Sequence, residues 1–358
     1  MRPSLRFALI FVASTASLLA SGCSADSPAC GSPLDCFSGE RCVAGVCLPP
    51  EDAEVDAGED TADDTAPQED AGEDTDDASD TDAPDISDPG PTFTFLAAGY
   101  QHDCVLTSDE RTLCWGNNNR EQTDAPADPF VALSLAGDFS CGLRPDRVVR
   151  CWGDNNNDQF PPGASRFDQI STGHSTVCGV NAGEVSCFGS DYWGQGSPPE
   201  GLEAIATVAV ASHLSCALGE ANNLHCWGSP NWVDGAPPST QSFDALYSGP
   251  EIVCVLASDG SPTCWGNSAL SIVTSVPSER FETLALGGYH ACGILQNGAL
   301  SCWGDNDHGQ TDSPFGTFEQ VAVGRDFSCA LSTDGEIECW GRDNYGKHDA
   351  PTLASIRE

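Results

Sequence analysis

From residue 93 to its C-terminal end, the chain repeats one short pattern seven times. Each copy has two apolar residues three apart, a small residue, a cysteine, and a second cysteine nine or ten positions on, followed by an aromatic residue and glycine. The second cysteines open Cys114-Trp115-Gly116, Cys151-Trp152-Gly153, Cys187-Phe188-Gly189, Cys226-Trp227-Gly228, Cys264-Trp265-Gly266, Cys302-Trp303-Gly304 and Cys339-Trp340-Gly341. A unit of about 37 residues cannot bury its own apolar face, so consecutive copies have to stack.

In register, the copies begin at Phe93, Phe130, Phe167, Ile205, Phe243, Phe281 and Phe318, and a small residue from Gly99 to Gly324 stands five positions before each first cysteine. Short apolar runs broken by glycine and polar turns read as β-strands. No stretch sustains a helical period. Each copy has room for three short strands, with a fourth as the upper limit.

The hairpin within each copy can be registered from its turn. In the last copy, a loop of Thr333, Asp334 and Gly335 places Cys329 opposite Cys339. Such loops favour glycine last, in the left-handed conformation, and Gly260 and Gly298 hold the same place. The third copy is one residue shorter, and a two-residue Ala182-Gly183 loop restores the pairing. Counting outward, the cysteines fall on a non-hydrogen-bonded rung, where Cα atoms lie about 4.5 Å apart and a disulfide fits. The predicted bridges are Cys104–Cys114, Cys141–Cys151, Cys178–Cys187, Cys216–Cys226, Cys254–Cys264, Cys292–Cys302 and Cys329–Cys339. Zinc is the rival use of paired cysteines, but it needs four converging ligands. Side chains alternate along a strand, so the Trp series faces away from the sulfurs and is predicted to be core.

Three segments precede the repeats. Residues 1–22 read as an export signal, with Arg2 and Arg6 ahead of an apolar run from Phe7 to Ala20 that is too short to span a bilayer. The run ends in Ala20-Ser21-Gly22-Cys23, which resembles a bacterial lipobox. The chain has 19 cysteines, fourteen of them in the repeats and four at Cys30, Cys36, Cys42 and Cys47. Cys23 is left over, and lipidation at Cys23 explains an odd cysteine in an exported chain. Residues 23–47 are then a lipid-anchored cysteine-rich module whose connectivity stays open among three arrangements. Residues 48–92 form an acidic linker, with eighteen acidic and no basic residues between Glu51 and Asp88. Such a segment cannot bury enough apolar surface to fold. As a flexible coil it spans roughly 35–40 Å, and charge repulsion lengthens it. It is expected to act as a stalk rather than a cation-binding tail. Abundant paired cysteine places the chain in an oxidising compartment. The expected location is the bacterial outer membrane or cell surface, through the lipid anchor alone.

The pattern G-x-x-x-x-C-x-L, continued by C-W-G-x-N-x-x-G-Q, resembles the regulator-of-chromosome-condensation repeat. Gly304-Asp305-Asn306-Asp307-His308-Gly309-Gln310 is its clearest copy, and Gly341-Arg342-Asp343-Asn344-Tyr345-Gly346-Lys347 has Lys in place of Gln. The paired cysteines are similar to the secreted branch, which includes the ectodomains of crinkly-type plant receptor kinases. The resemblance implies that residues 93–358 form an all-β, seven-bladed β-propeller. Repeats this short also resemble the three-stranded blades of a secreted bacterial β-lactamase inhibitor, and blades of three to four strands are expected. The fourth and fifth copies depart most, since Ser229-Pro230-Asn231-Trp232 and Asn267-Ser268-Ala269-Leu270 lose the G-Q ending.

Composition excludes some functions. Residues 93–358 hold 33 acidic and 11 basic residues, a balance that repels phosphate backbones, so nucleic acid is not an expected partner. No cofactor motif, nucleophile elbow or zinc-protease signature is present. His102 and His290 precede first cysteines at a position where other copies carry Phe or Leu, and they are expected to be structural. The Asp/Asn runs at 154–158 and 305–307 lack the glycine and distal Glu of a calcium loop and read as turns. Four positions after each Cys-aromatic-Gly glycine, the copies differ: Arg120, Asn157, Trp193, Trp232, Leu270, His308 and Tyr345. Unlike side chains on a constant frame suggest a recognition surface, with packing between blades as the alternative. The expected function is binding of a protein or glycan by a monomeric propeller. Inhibition of a secreted enzyme is the alternative, and propeller-based hydrolase or lyase chemistry a weaker one. The tail at 349–356 mimics the start of a further copy and is expected to pair as a strand at the closing seam.

Overall fold

The computed structural model describes residues 90–357, apart from Thr240, together with the backbone of 41–43 and 46–48. The signal, Cys23 and linker residues 49–89 lie outside the described residues. Two short antiparallel strands, Arg41–Val43 and Val46–Leu48, form a ribbon whose register sets Cys42 opposite Cys47. It belongs to a separate unit from the repeat domain.

The seven copies form seven three-stranded antiparallel sheets, each made from contiguous sequence. They are the blades of a β-propeller. The inner strands are Phe93–Ala98, Ala132–Leu135, Gln169–Thr172, Ile205–Val210, Ala245–Ser248, Phe281–Leu286 and Phe318–Val323. Together they line a central channel. Each described blade has three strands, within the expected range of three to four.

The F-x-x-L spacing has a geometric cause. Residues three apart on a regular strand face opposite sides, yet Phe93 and Leu96 are both buried. A register shift between Phe93 and Phe95 returns them to one face, and blades four, six and seven carry the same shift. Such a bulge adds one unpaired residue and bends the strand. The hairpins keep the expected register: all seven cysteine pairs are bridged, with Cα–Cα distances of 4.0–4.1 Å. Glu110, Arg147 and Asn222 adopt positive φ (68°, 69° and 64°) where Gly260, Gly298 and Gly335 do so in their copies. Five of the six repeat tryptophans are buried, from Trp265 at 2 % exposed to Trp152 at 8 %.

Inner strands have one unpaired edge toward the next blade, and side chains cover it. Gln169 accepts from Val208 N at 2.9 Å and donates to Val208 O at 3.0 Å. Gln320 does the same across the closing seam, to Leu96 N at 2.8 Å and Thr94 O at 2.9 Å. Ser134 and Ser171 accept from Thr172 N and Val210 N, both at 3.0 Å. Blades also touch through the small residue after each inner strand. A Cβ on Gly287 would lie 2.1 Å from Gly324 O, so that contact requires glycine.

His102 and His290 are fully buried, and each Nε2 lies 2.7 Å from a serine Oγ of the next blade, Ser140 and Ser328. Burial lowers their pKa values to about 3 and about 4. Both sit at blade seams, each against the serine of the next blade.

The tail closes the ring without pairing as a strand, which corrects the expectation. Pro351 has no N–H for a ladder. Thr352 and Ser355 form a reciprocal capping box that nucleates a helical turn, α1, over Leu353–Ile356. Ile356 is buried in one cluster with Phe93 and Trp115 of the first blade and Phe327 and Leu331 of the last. Arg111 fixes the turn by donating to Ile356 O at 2.7 Å.

Candidate binding interface

The loops that leave the outer strands lie on the same face as the loops that leave the inner strands. Asn117 N donates to Gln101 O at 2.8 Å, and Asp154, Ser190, Ser229, Asn267, Asp305 and Arg342 repeat the contact in their blades. The hairpin loops lie at the opposite end of the strands, where Ser108 N meets Thr92 O at 2.8 Å. Residues 90–92 therefore enter the first blade on the hairpin face.

Two motif side chains frame each regular loop. Asn118 accepts from Thr123 N at 3.0 Å and donates to Asp124 at 2.9 Å. Asn306 makes the same two contacts with Thr311 and Asp312. The buried motif glutamines then grip the apex. Gln122 Oε1 accepts from Arg120 N at 2.8 Å, and Gln159, Gln195 and Gln310 accept from Asn157, Trp193 and His308 N at 3.0, 2.9 and 2.8 Å. The constant residues thus hold the backbone amide of an apex residue whose side chain varies. The frame is also tied to the neighbouring blade, since Gln122 O accepts from Trp152 Nε1 at 2.9 Å and Ser140 Oγ at 3.1 Å.

Five of the seven variable residues are exposed: Arg120, Asn157, Trp193 (45 %), His308 and Tyr345 (54 %). Trp232 and Leu270 are half-buried and pack against core clusters. Their copies lack the G-Q ending, and short helical turns replace the regular loop at Pro230–Val233 and Ser271–Thr274. In the second of these, the fully buried Ile272 stands where other copies have Gln, and its carbonyl accepts from Trp303 Nε1 at 3.0 Å. Packing thus accounts for those two positions.

A second set of variable residues lies nearer the axis. The positions after the small residue are Tyr100, Gly137, His174, Ser212, Pro250, Gly288 and Arg325, and most of them wall the channel mouth. Arg325 lies over the rings of Tyr100 and Tyr289, 5.4 Å from each centroid, and donates to Tyr289 OH at 3.2 Å. Burial raises the Tyr100 pKa, and the Arg325 charge opposes the rise. Further out, His213 packs edge-on between Trp193 and Trp232, at centroid distances of 5.1 and 4.5 Å. Tyr192, 82 % exposed, extends this aromatic row. Burial lowers the His213 pKa, against an opposing pull from Glu251. The mouth ring differs from copy to copy as the apex ring does, and that variation after the small residue is the sequence signal that marks it.

Comparison with known proteins agrees with the fold. A family profile described as "Regulator of chromosome condensation (RCC1) repeat" matches residues 93–122, 281–310 and 318–347. The chain thus carries RCC1-like repeats. The CRINKLY WD40 ectodomain of the Arabidopsis thaliana receptor kinase ACR4 is 24 % identical, with a TM-score of 0.58 over 70 % of this chain and 96 % of that one. The ectodomain of the Physcomitrella patens receptor kinase CR4 is 25 % identical, with a TM-score of 0.60 over 70 % and 73 %. Prp20p from Saccharomyces cerevisiae, whose binding to Gsp1p and histones has been described, is 15 % identical, with a TM-score of 0.55 over 72 % and 84 %. No curated protein sequence matches the chain significantly.

Proposed function

We propose that this chain is an exported lipoprotein of the cell envelope, of the secreted cysteine-paired kind, whose monomeric propeller binds a protein through its loop face. The observation that carries the reading is the frame of motif Asn and Gln, which fixes the loop backbone while the apex side chains differ and five of them face solvent. Trp, Tyr and Arg, the residue types that dominate binding hot spots, are concentrated there. The Prp20p comparison supports protein binding by a propeller of this fold. The seven bridges fit an oxidising compartment. Among the described residues no helix is long and apolar enough to cross a membrane, and the reading assigns attachment to lipidated Cys23. The reading assigns no catalysis, since the two deeply buried histidines are engaged by serine hydroxyls at blade seams.

The test is crosslinked capture from an envelope extract with the full chain and with a Trp193→Ala/Tyr345→Ala variant. The expected result is one or a few proteins captured by the wild type and lost with the variant. An identical captured set from a folded variant overturns the loop-face reading. Anchoring is checked separately: Cys23→Ser should release the chain from membranes and abolish palmitate labelling.

A further inference from the structure

Of the eleven basic residues at 93–358, seven lie within 4.0 Å of a carboxylate. Arg325 is not among them, although acidic residues outnumber basic ones threefold in this domain (33 to 11). Its neighbour Asp326 is engaged elsewhere, by Lys347 at 2.6 Å and Arg342 at 3.4 Å. Two tyrosine faces instead hold the Arg325 guanidinium, and one of its nitrogens is spent on Tyr289 OH. A planar guanidinium stacked in this way keeps its other N–H groups in a fixed fork, the geometry that matches a carboxylate.

Its ring partner Tyr100 and the preceding Gly324 belong to the wall of the channel mouth, so Arg325 stands at the rim. The mouth cavity has a volume of about 70 Å³ and walls that are largely backbone, including Gly99, Gly173, Gly287 and Gly324. A space of that volume takes the end of one side chain, and it shares the wall residues Ala98, Leu135 and Thr172 with the central channel. Around it the face is open and aromatic, with Tyr100, His174 and Tyr289 near the axis and Trp193 further out.

We propose that the rim of the channel mouth is an anchor subsite in which Arg325, clamped by Tyr100 and Tyr289, receives a carboxylate side chain at the tip of a partner protein's loop. This rests on the reading of the loop face as a protein-binding surface and names the chemistry of the partner's central contact. A charge pair at the centre of an interface is shielded from water and salt by the contacts around it, so it governs dissociation more than encounter.

The test uses a disulfide-constrained random-loop library displayed on phage and panned over the full chain. Selected loops are remade as cyclic peptides with Glu or Gln at the apex. The expected outcome is enrichment of Asp or Glu at the apex. Binding should weaken about tenfold or more on apex Glu→Gln and on Arg325→Gln, with partial retention in Arg325→Lys. The peptide substitution leaves the propeller intact, so it decides the matter even if Arg325→Gln does not fold. Loops without an apical acid, acidic loops indifferent to both changes, or no enrichment at all overturn the proposal. Loops lost on Trp193→Ala but indifferent to Arg325→Gln sink the anchor subsite and leave the loop-face reading standing. Loops indifferent to Trp193→Ala and Tyr345→Ala count against that reading itself.

Discussion

Lys347 Nζ lies 2.6 Å from Asp326 Oδ1 with no solvent exposure, at the seam where the last blade meets the first. Lys347 stands where the regular copies have glutamine, and its carbonyl accepts from Trp115 Nε1 at 2.9 Å, as Gln122 O does from Trp152. Asp103, fully buried, stands where Ser140 and Ser215 donate to the glutamine carbonyls of other seams. Ser with Gln has thus become Asp with Lys at the closing seam. Burial raises the Asp103 pKa well above its ordinary value and lowers that of Lys347. Lys347 acts against the first shift and Asp326 against the second.

The swap predicts coupling. Removing one member of a buried charge group costs about 3–5 kcal/mol, so Lys347→Gln alone should lower the melting temperature sharply. Lys347→Gln with Asp103→Ser recreates the pairing of the other seams and should recover much of that loss. Denaturant melts of the wild type, both single variants and the double variant check this. Additive effects would show that the two residues do not form a pair.

Stability should fall as the pH drops below 6.5. His102 and His290 bind protons in the unfolded chain below 6.5 but in the fold only near 3 and 4. Depressed folded pKa values therefore give stability that is full above 6.5 and lost as pH falls toward 4. The slope is up to about 1.4 kcal/mol per pH unit for each histidine. Asp103 contributes with the opposite sign, because its raised pKa favours the protonated fold. The difference between the wild type and a His102→Leu/His290→Leu variant isolates the histidines. Its melting curve between pH 6.5 and 4 should be flatter than that of the wild type.

Each bridge closes a short loop, for which chain entropy gives about 2–3 kcal/mol, on an account whose mechanism is disputed. Replacing Cys292 and Cys302 together by alanine should cost that much and leave the other six bridges in place. Peptide mapping without reductant should return only the local pairs. A bridge between different copies would overturn the hairpin register.

Trp193 and Trp232 should separate. Trp193→Ala removes an exposed side chain and should shift stability by less than about 1 kcal/mol. Trp232→Ala removes a half-buried ring packed beside Val253 and Trp265 and should cost about 2–3 kcal/mol. Equal effects in thermal melts would contradict their different placements.

Local pairing made most of the fold readable in advance. The turn residues and cysteines of each hairpin lie within about a dozen positions, so strand register and bridging follow from counting outward from Gly335 or from Ala182-Gly183. The left-handed turns at Glu110, Arg147 and Asn222 carry no glycine and so gave no signal. The apex ring was legible as variation on a constant frame, and it holds for five positions. It fails at Trp232 and Leu270, because without the motif glutamine the loop winds into a helical turn and the side chain packs inward. The Arg325 cluster escaped notice because it forms only when ring closure sets Tyr100 of the first blade beside Tyr289 and Arg325 of the last two. The tail read as a strand because Leu353 and Ile356 copy the spacing of Phe93 and Leu96, but Pro351 and the Thr352 cap favour a helical turn.

Every blade is contiguous in sequence, and no strand is exchanged between the two ends of the chain. A blade can therefore form and oxidise as it emerges from an export channel, before the blades behind it arrive. Cysteines nine or ten residues apart meet their partners long before they meet a competitor. Only the last step, the docking of the α1 turn against Phe93 and Trp115, must wait for both ends. Pulse-labelled chains truncated after successive blades should accordingly show bridges in order from the N-terminal side, with protease resistance of the first blade arriving last.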